Sequence, residues 1–292
     1  MFVTAKILPE HKLATIPINV AQVRQLSPFR YPGGKTWLVP EIRRRLHCMT
    51  ARPRWFIEPF VGGGNVALTV AVEGLADRVK MVELDDDVAS VWQTILASND
   101  SDLNWLCQTV LEFPMDSISV RDILVKTPQS VREQAFRTIL KNRVNRGGIL
   151  APGASVIKNG ENHKGLRSRW YPQTLVNRMQ LIRRFRHVIQ FVHGDAFTVM
   201  SQHLLDDQAV FFLDPPYTAG GKKPGSRLYV HNVIDHGRLF DLMSQMHGNF
   251  MATYDDTPEV MQLAETHRFQ MTRIPMKTTH HVVTYELLVS RA

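Results

Sequence analysis

Apolar positions along this chain fall into two rhythms. Short, unbroken apolar runs recur, and each stops at an acid, a glycine cluster or an aromatic residue. Trp55-Phe56-Ile57 runs into Glu58-Pro59-Phe60 and then Gly62-Gly63-Gly64, and Val79-Lys80-Met81-Val82 ends at Glu83. Val188-Ile189-Gln190-Phe191-Val192 leads to Gly194-Asp195, Ala209-Val210-Phe211-Phe212-Leu213 to Asp214-Pro215-Pro216-Tyr217, and Phe250-Met251-Ala252-Thr253 to Asp255. Such runs, bounded by turn residues, predict strands buried on both faces. A closing pair is expected over 270–275 and 282–290. Elsewhere the period lengthens to that of a helix, over 37–46, 65–73, 87–96, 131–143, 174–185 and 237–246. Strands alternating with helices predict an α/β fold with a doubly wound sheet, whose ligand site lies at the carboxyl ends of the strands.

Residues 98–187 break that alternation. The stretch reads as helical and then passes through a Gly/Pro/Asn-rich loop at 147–162. The expected organisation is an N-terminal extension over 1–26, a main domain over 27–97 and 188–292, and an inserted, mostly helical domain over 98–187. Charge sharpens this division. The chain carries 35 Lys+Arg against 27 Asp+Glu, a net charge of +8. Residues 121–190 hold 15 of those basic residues and three acids, so the rest of the chain is mildly acidic. A localised basic block is the footprint of a polyanion site, because each neutralised phosphate releases condensed counterions. Cys48 and Cys107 have no CxxC partner, which fits a reduced protein without zinc or disulfide scaffolding. Lys6, Glu10, His11 and Lys12 interrupt the first 27 residues, and no apolar run reaches the roughly 20 residues of a bilayer span. A cytoplasmic protein with no membrane partner, associated with the nucleoid through nucleic acid, is expected.

Two of the strand ends carry chemistry. Gly62-Gly63-Gly64 lies between a strand and a helix, where glycines allow close approach of a ligand and the helix N-terminus favours negative charge. Glu83, about 20 residues on at the next strand end, sits where nucleoside-binding α/β folds place an acid on ribose hydroxyls. That spacing also suits NAD, but the run Gly-Gly-Gly-Asn-Val-Ala does not meet GxGxxG. Upstream, Tyr31-Pro32-Gly33-Gly34-Lys35 combines an aromatic, a tight turn and a cation. Asp214-Pro215-Pro216-Tyr217 is the most specific signal. Both prolines fix φ and neither has an N–H, so the turn presents carbonyls as acceptors beside a carboxylate. An acceptor pair of Asp214 and the Pro215 carbonyl suits an aryl amine that must attack an electrophile: it localises the nitrogen lone pair and disperses developing charge. Tyr217 can stack on a base flipped out of a duplex.

Together these residues resemble the Dam-like (D12 class, alpha group) N6-adenine DNA methyltransferases, from about Ser27 to the C-terminus. Tyr31 to Lys35 looks like that family's aromatic-x-Gly-Gly-Lys motif, which lines the S-adenosyl-L-methionine pocket. Glu58-Pro59-Phe60-Val61-Gly62-Gly63-Gly64 is similar to its cofactor loop. Glu83-Leu84-Asp85 stands where the family has Asp-Ile-Asn, and Gly194-Asp195 resembles the pair that recognises the cofactor's adenine. Asp214 to Tyr217 is similar to the catalytic D-P-P-Y, and Thr253-Tyr254-Asp255-Asp256-Thr257-Pro258 resembles a later strand end. The resemblance implies a Rossmann-like S-adenosylmethionine-dependent methyltransferase sheet with an inserted target-recognition domain. It implies catalytic residues Asp214, Pro215, Pro216 and Tyr217. The implied cofactor residues are Tyr31, Gly33, Gly34, Lys35, Glu58, Pro59, Phe60, Gly62, Gly64, Glu83, Leu84, Asp195 and Ala196. Double-stranded DNA is the expected partner, met by Lys141, Arg143, Asn145, Arg146, Lys158, Lys164, Arg167 and Arg169, with a cognate restriction enzyme as a further partner. The F-N-G…F-N-V-P-x-G pattern of the GATC-methylating members is missing, so GATC specificity does not carry over. The loop 218–227, rich in glycine and lysine, is expected to close over flipped base and phosphate.

Two other readings stay open here: N4-cytosine methylation, and a non-catalytic DNA-binding module that kept the fold. A cytosine-C5 methyltransferase is excluded, because Cys48 follows His47 and Cys107 follows Leu106 rather than proline. RNA and protein-glutamine methyltransferases share the turn; the basic block and the motif order favour DNA. His280-His281 has no acid or cysteine at ligand spacing, and this chemistry needs no metal.

Overall fold

The computed structural model describes residues 23–158, 160, 163–216, 230, 231, 233–277 and 283–291. The strands are β1 (Trp55–Glu58), β2 (Arg78–Glu83), β3 (Ile189–His193), β4 (Ala209–Leu213), β5 (Asn249–Asp255), β6 (Gln270–Lys277) and β7 (Val283–Ser290). They form one seven-stranded sheet in the order β3-β2-β1-β4-β5-β7-β6. Strands β1 to β5 are parallel, while β7 runs antiparallel between β5 and β6. This is the doubly wound α/β sheet that the alternation predicts. Chain order reverses between β1 and β4, which are neighbours in register (Ile57 opposite Phe211). Connections diverge to either side of that seam and leave a crevice at its carboxyl end.

The unbroken apolar runs are explained by burial on both faces. Phe56, Val79, Met81 and Phe212 face one core, and Ile57, Phe211 and Leu213 face the other. All seven are at 0% exposure, and each contributes roughly 1.5–3 kcal/mol by leaving water. The second core is closed by α8 (Ala196–Gln202), α9 (His236–Gln245) and α10 (Pro258–Thr266). The first is closed by α1 (Val39–His47), α2 (Asn65–Glu73) and α3 (Asp86–Trp92), and by the helices of the 98–187 segment.

Those helices are α4 (Asp100–Glu112), α5 (Ser117–Val125), α6 (Val131–Val144) and α7 (Pro172–Arg184). Leu106, Phe136, Ile139, Leu140, Leu175 and Met179 join the same core as Val70 and Trp92. The segment is therefore anchored to the sheet by shared apolar packing. The helix expected over 87–96 ends at Trp92 and continues as a wider π-type turn over Gln93–Ala97. Helices α8 and α10 are not among those that the sequence predicts. Among the described residues no helix is long and apolar enough to cross a membrane.

Candidate active site

The carboxyl ends of β1, β2, β3 and β4 open into one cavity of about 950 Å³. Its wall is built first by the loop after β1. Gly62 has φ 44° and Gly64 has φ 64°, both left-handed, and Gly64 starts α2. A Cβ on Gly62 would lie 2.5 Å from Cε1 of Tyr31. The Tyr31 ring thus packs directly against glycine backbone, where any other residue would displace it. The indole N–H of Trp92 donates to the Gly62 carbonyl at 3.0 Å, which holds the loop from behind.

Two acids brace this loop. Glu58 accepts from the Ala67 N–H at 2.7 Å, across the first turn of α2. Burial pushes its pKa well above the ordinary carboxyl value, further than that one backbone donor pulls it down. Glu83 accepts from the Gly62 N–H at 2.9 Å, from the Leu84 N–H at 3.0 Å and from the Asp85 N–H at 2.9 Å. Burial nevertheless raises its pKa to about 7, outweighing those donors. Its carboxylate stays at the cavity wall, aimed by backbone and not by a cation. Asp195 caps α8 through the Thr198 N–H at 2.8 Å and sits beside Ala196 on the same wall. Pro59, Phe60 and Leu84 also line it.

At the end of β4, Asp214 is held from two sides. Its Oδ1 accepts from the Thr253 hydroxyl on β5 at 2.8 Å and lies 3.0 Å from the Lys35 ammonium. Lys35 also donates to the Gly33 carbonyl at 2.8 Å and lies 3.7 Å from Glu286 of β7. Burial lowers the pKa of Lys35, but Asp214 and Glu286 outweigh it and leave the pKa above its ordinary value. A buried ammonium between two carboxylates remains charged. Pro215 is buried and Pro216 lines the cavity, whereas Tyr217 and the loop 218–227 lie outside the described residues, as do His280 and His281.

The cavity brings together every expected cofactor residue except Gly33, which is exposed beside it, together with Asp214 and Pro216. Sequence reasoning placed Lys35 with the cofactor and did not foresee its ion pair with Asp214. It missed Glu286 and gave Thr253 no site role. A signal for Glu286 existed: it is the one acid in the apolar run of β7, and an acid within a buried strand needs a partner. The basic residues are dispersed. Arg146, Lys158 and Lys164 are exposed, and exposed Arg167 donates to the Pro114 carbonyl at 3.0 Å. Lys141 pairs with Asp87 at 3.3 Å, the Asn145 amide donates to Ile149 at 2.7 Å, Arg143 is buried, and Arg169 is half-buried. Of these eight, only Arg143 lines the cavity.

Residues 31–114 match the family described as D12 class N6 adenine-specific DNA methyltransferase. That segment carries Tyr31, Lys35, the glycine loop and Glu83. No curated protein matches the chain. Among solved structures, the chain resembles a Pyrococcus horikoshii protein provisionally described as an RNA methyltransferase. The identity is 10% and the TM-score 0.39, covering 93% of this chain and 92% of that one. A Listeria monocytogenes protein provisionally described as a class I S-adenosylmethionine-dependent methyltransferase shares 9% identity at a TM-score of 0.37, over 87% of this chain and 58% of that one. The chain thus spans less than two thirds of the latter's length. The family match and the sheet order together make this chain a methyltransferase on a Rossmann-like sheet, with S-adenosyl-L-methionine as its cofactor.

Proposed function

We propose that this enzyme methylates N6 of an adenine flipped out of double-stranded DNA, with residues 98–187 as its target-recognition domain. The observation that carries the reading is the fixed acceptor at the end of β4: Asp214, gripped by Lys35 and by the Thr253 hydroxyl at the cavity wall. An exocyclic amine has two N–H donors and a lone pair delocalised into its ring. Asp214 and the Pro215 carbonyl accept from those N–H groups, which localises the lone pair on nitrogen and stabilises charge as it develops. Lys35 and Thr253 hold the carboxylate in place, so no reorganisation is required during reaction. Tyr217 stacks on the flipped base.

The cavity residues fit S-adenosyl-L-methionine: a cradle of glycines that a Cβ would fill, and an acid fixed by backbone donors at the ribose position. Tyr31, Gly34, Glu58, Pro59, Phe60, Gly62, Gly64, Glu83, Leu84, Asp195 and Ala196, which line the cavity, would hold it. When bound, it supplies an electrophilic methyl group. The surplus amine proton passes to solvent, and no covalent enzyme intermediate is needed. Exposed Arg146, Lys158, Lys164 and Arg167 meet the DNA backbone.

The test is transfer of labelled methyl groups to genomic DNA by wild type and Asp214→Ala, with modified positions mapped by single-molecule sequencing. N6-methyladenine in one recurring sequence, lost in the variant, is the expected result. N4-methylcytosine, or cofactor binding without DNA methylation, would overturn it. Protection of the mapped sequence from cleavage in the source cell decides whether a restriction enzyme is the partner.

A further inference from the structure

Arg143 of α6 and Arg178 of α7 both line the cavity. Each rests on a backbone carbonyl: Arg143 donates to Pro28, and Arg178 donates to Ser27 at 2.9 Å. Arg143 is only 5% exposed, and its Nε has no hydrogen-bond acceptor. Neither arginine forms an ion pair among the described residues, and Arg30 and Arg169 add like charge nearby. Burial, and then those three neighbouring arginines, press the pKa of Arg143 down to about 9. A guanidinium that is desolvated, incompletely bonded and surrounded by its own sign is destabilised until an anion arrives.

We propose that Arg143 and Arg178 form an oxyanion seat that takes a backbone phosphate beside the flipped nucleotide. This rests on the reading that the substrate is duplex DNA. A flipped base drags its phosphates to the mouth of the same cavity, and gripping one of them offsets the loss of stacking. The cofactor carboxylate is the other oxyanion that enters this cavity. The cofactor cradle, however, is built from strand-end glycines and acids, whereas the seat is built from helices of the 98–187 segment. Exposed Tyr171 and Thr174 flank it on that side.

The test uses the full chain and a duplex carrying the mapped target, with single neutral methylphosphonate linkages placed around the adenine. Binding is read by fluorescence anisotropy. For wild type, one linkage next to the target weakens binding on the order of tenfold, and in Arg178→Ala the same linkage has no further effect. Arg143→Lys, which keeps the charge and most of the volume, shows the same loss of sensitivity if Arg178→Ala does not fold. Two results overturn the seat: equal sensitivity to every linkage in wild type, or a variant that loses affinity for the cofactor analogue sinefungin while keeping DNA affinity. The second assigns the seat to the cofactor carboxylate. Wild type that methylates no DNA instead overturns the underlying reading, and the labelled-methyl assay reports that separately.

Discussion

On the strand-end wall of the cavity, charged groups are matched: Asp214 to Lys35 and Thr253, Glu83 to three backbone N–H groups, Asp195 to the first turn of α8. On the helical wall, Arg143 and Arg178 lean on carbonyls alone. The first wall is complete before any ligand arrives, which suits chemistry that must not wait for dipoles to reorient. The second carries surplus charge whose compensation comes from outside, which suits a polyanion that is bound and released.

The sharpest way to break this contrast is Asp214→Ala. Removing the acceptor is expected to lower kcat by about 10²–10³-fold or more while sinefungin affinity, read by calorimetry, stays within a small factor. Equal loss of both would make Asp214 a structural residue. Next is Lys35→Met, which leaves Asp214 and Glu286 facing each other with no cation between them. A stability loss of about 3 kcal/mol is expected in urea melts, and kcat should fall because the Asp214 carboxylate loses the ammonium that fixes it. An unchanged kcat in the folded variant would show that Lys35 does not act through Asp214.

Gly62→Ala sharpens the cofactor side. With φ at 44° and Tyr31 where the methyl group would go, a cost of about 1–3 kcal/mol is expected, together with a rise in KM for the cofactor and little change in kcat. The mildest substitution concerns Glu83. Its folded-state pKa is raised from 4.5 to about 7, so the stability contributed by its protonated form is present below 4.5 and is lost as pH rises through 7. Cofactor affinity should run the other way and strengthen through the same window, because the ionised carboxylate is the better acceptor for ribose hydroxyls. Titration calorimetry between pH 5.5 and 8.5 reads this, and Glu83→Gln should flatten it.

Strand ends were legible in the sequence because a doubly buried strand leaves an unbroken apolar run, and its last polar residue marks the rim of the site. Glu58, Glu83, Asp195 and Asp214 were all placed that way. The segment 98–187 read as helical, but its attachment did not: nothing local marks Leu106, Phe136 and Met179 as sharing one core with Trp92. The basic block was visible as charge alone. Which of its members are exposed, as Arg146 is, and which are buried in the cavity wall, as Arg143 is, depends on the helix face each occupies against its neighbours.

The sequence by itself determined the sheet class, the glycine cradle and the Asp214-Pro215-Pro216 end of β4, because each depends on residues close in the chain and on backbone stereochemistry. Only the tertiary structure decided that Lys35 and Thr253 share one oxygen of Asp214, with Glu286 facing the same ammonium, and that two arginines from different helices meet over residues 27 and 28. Those contacts join positions far apart in the chain. Their energies arise from burial and from charges brought together by strand order and helix packing, which no local pattern encodes.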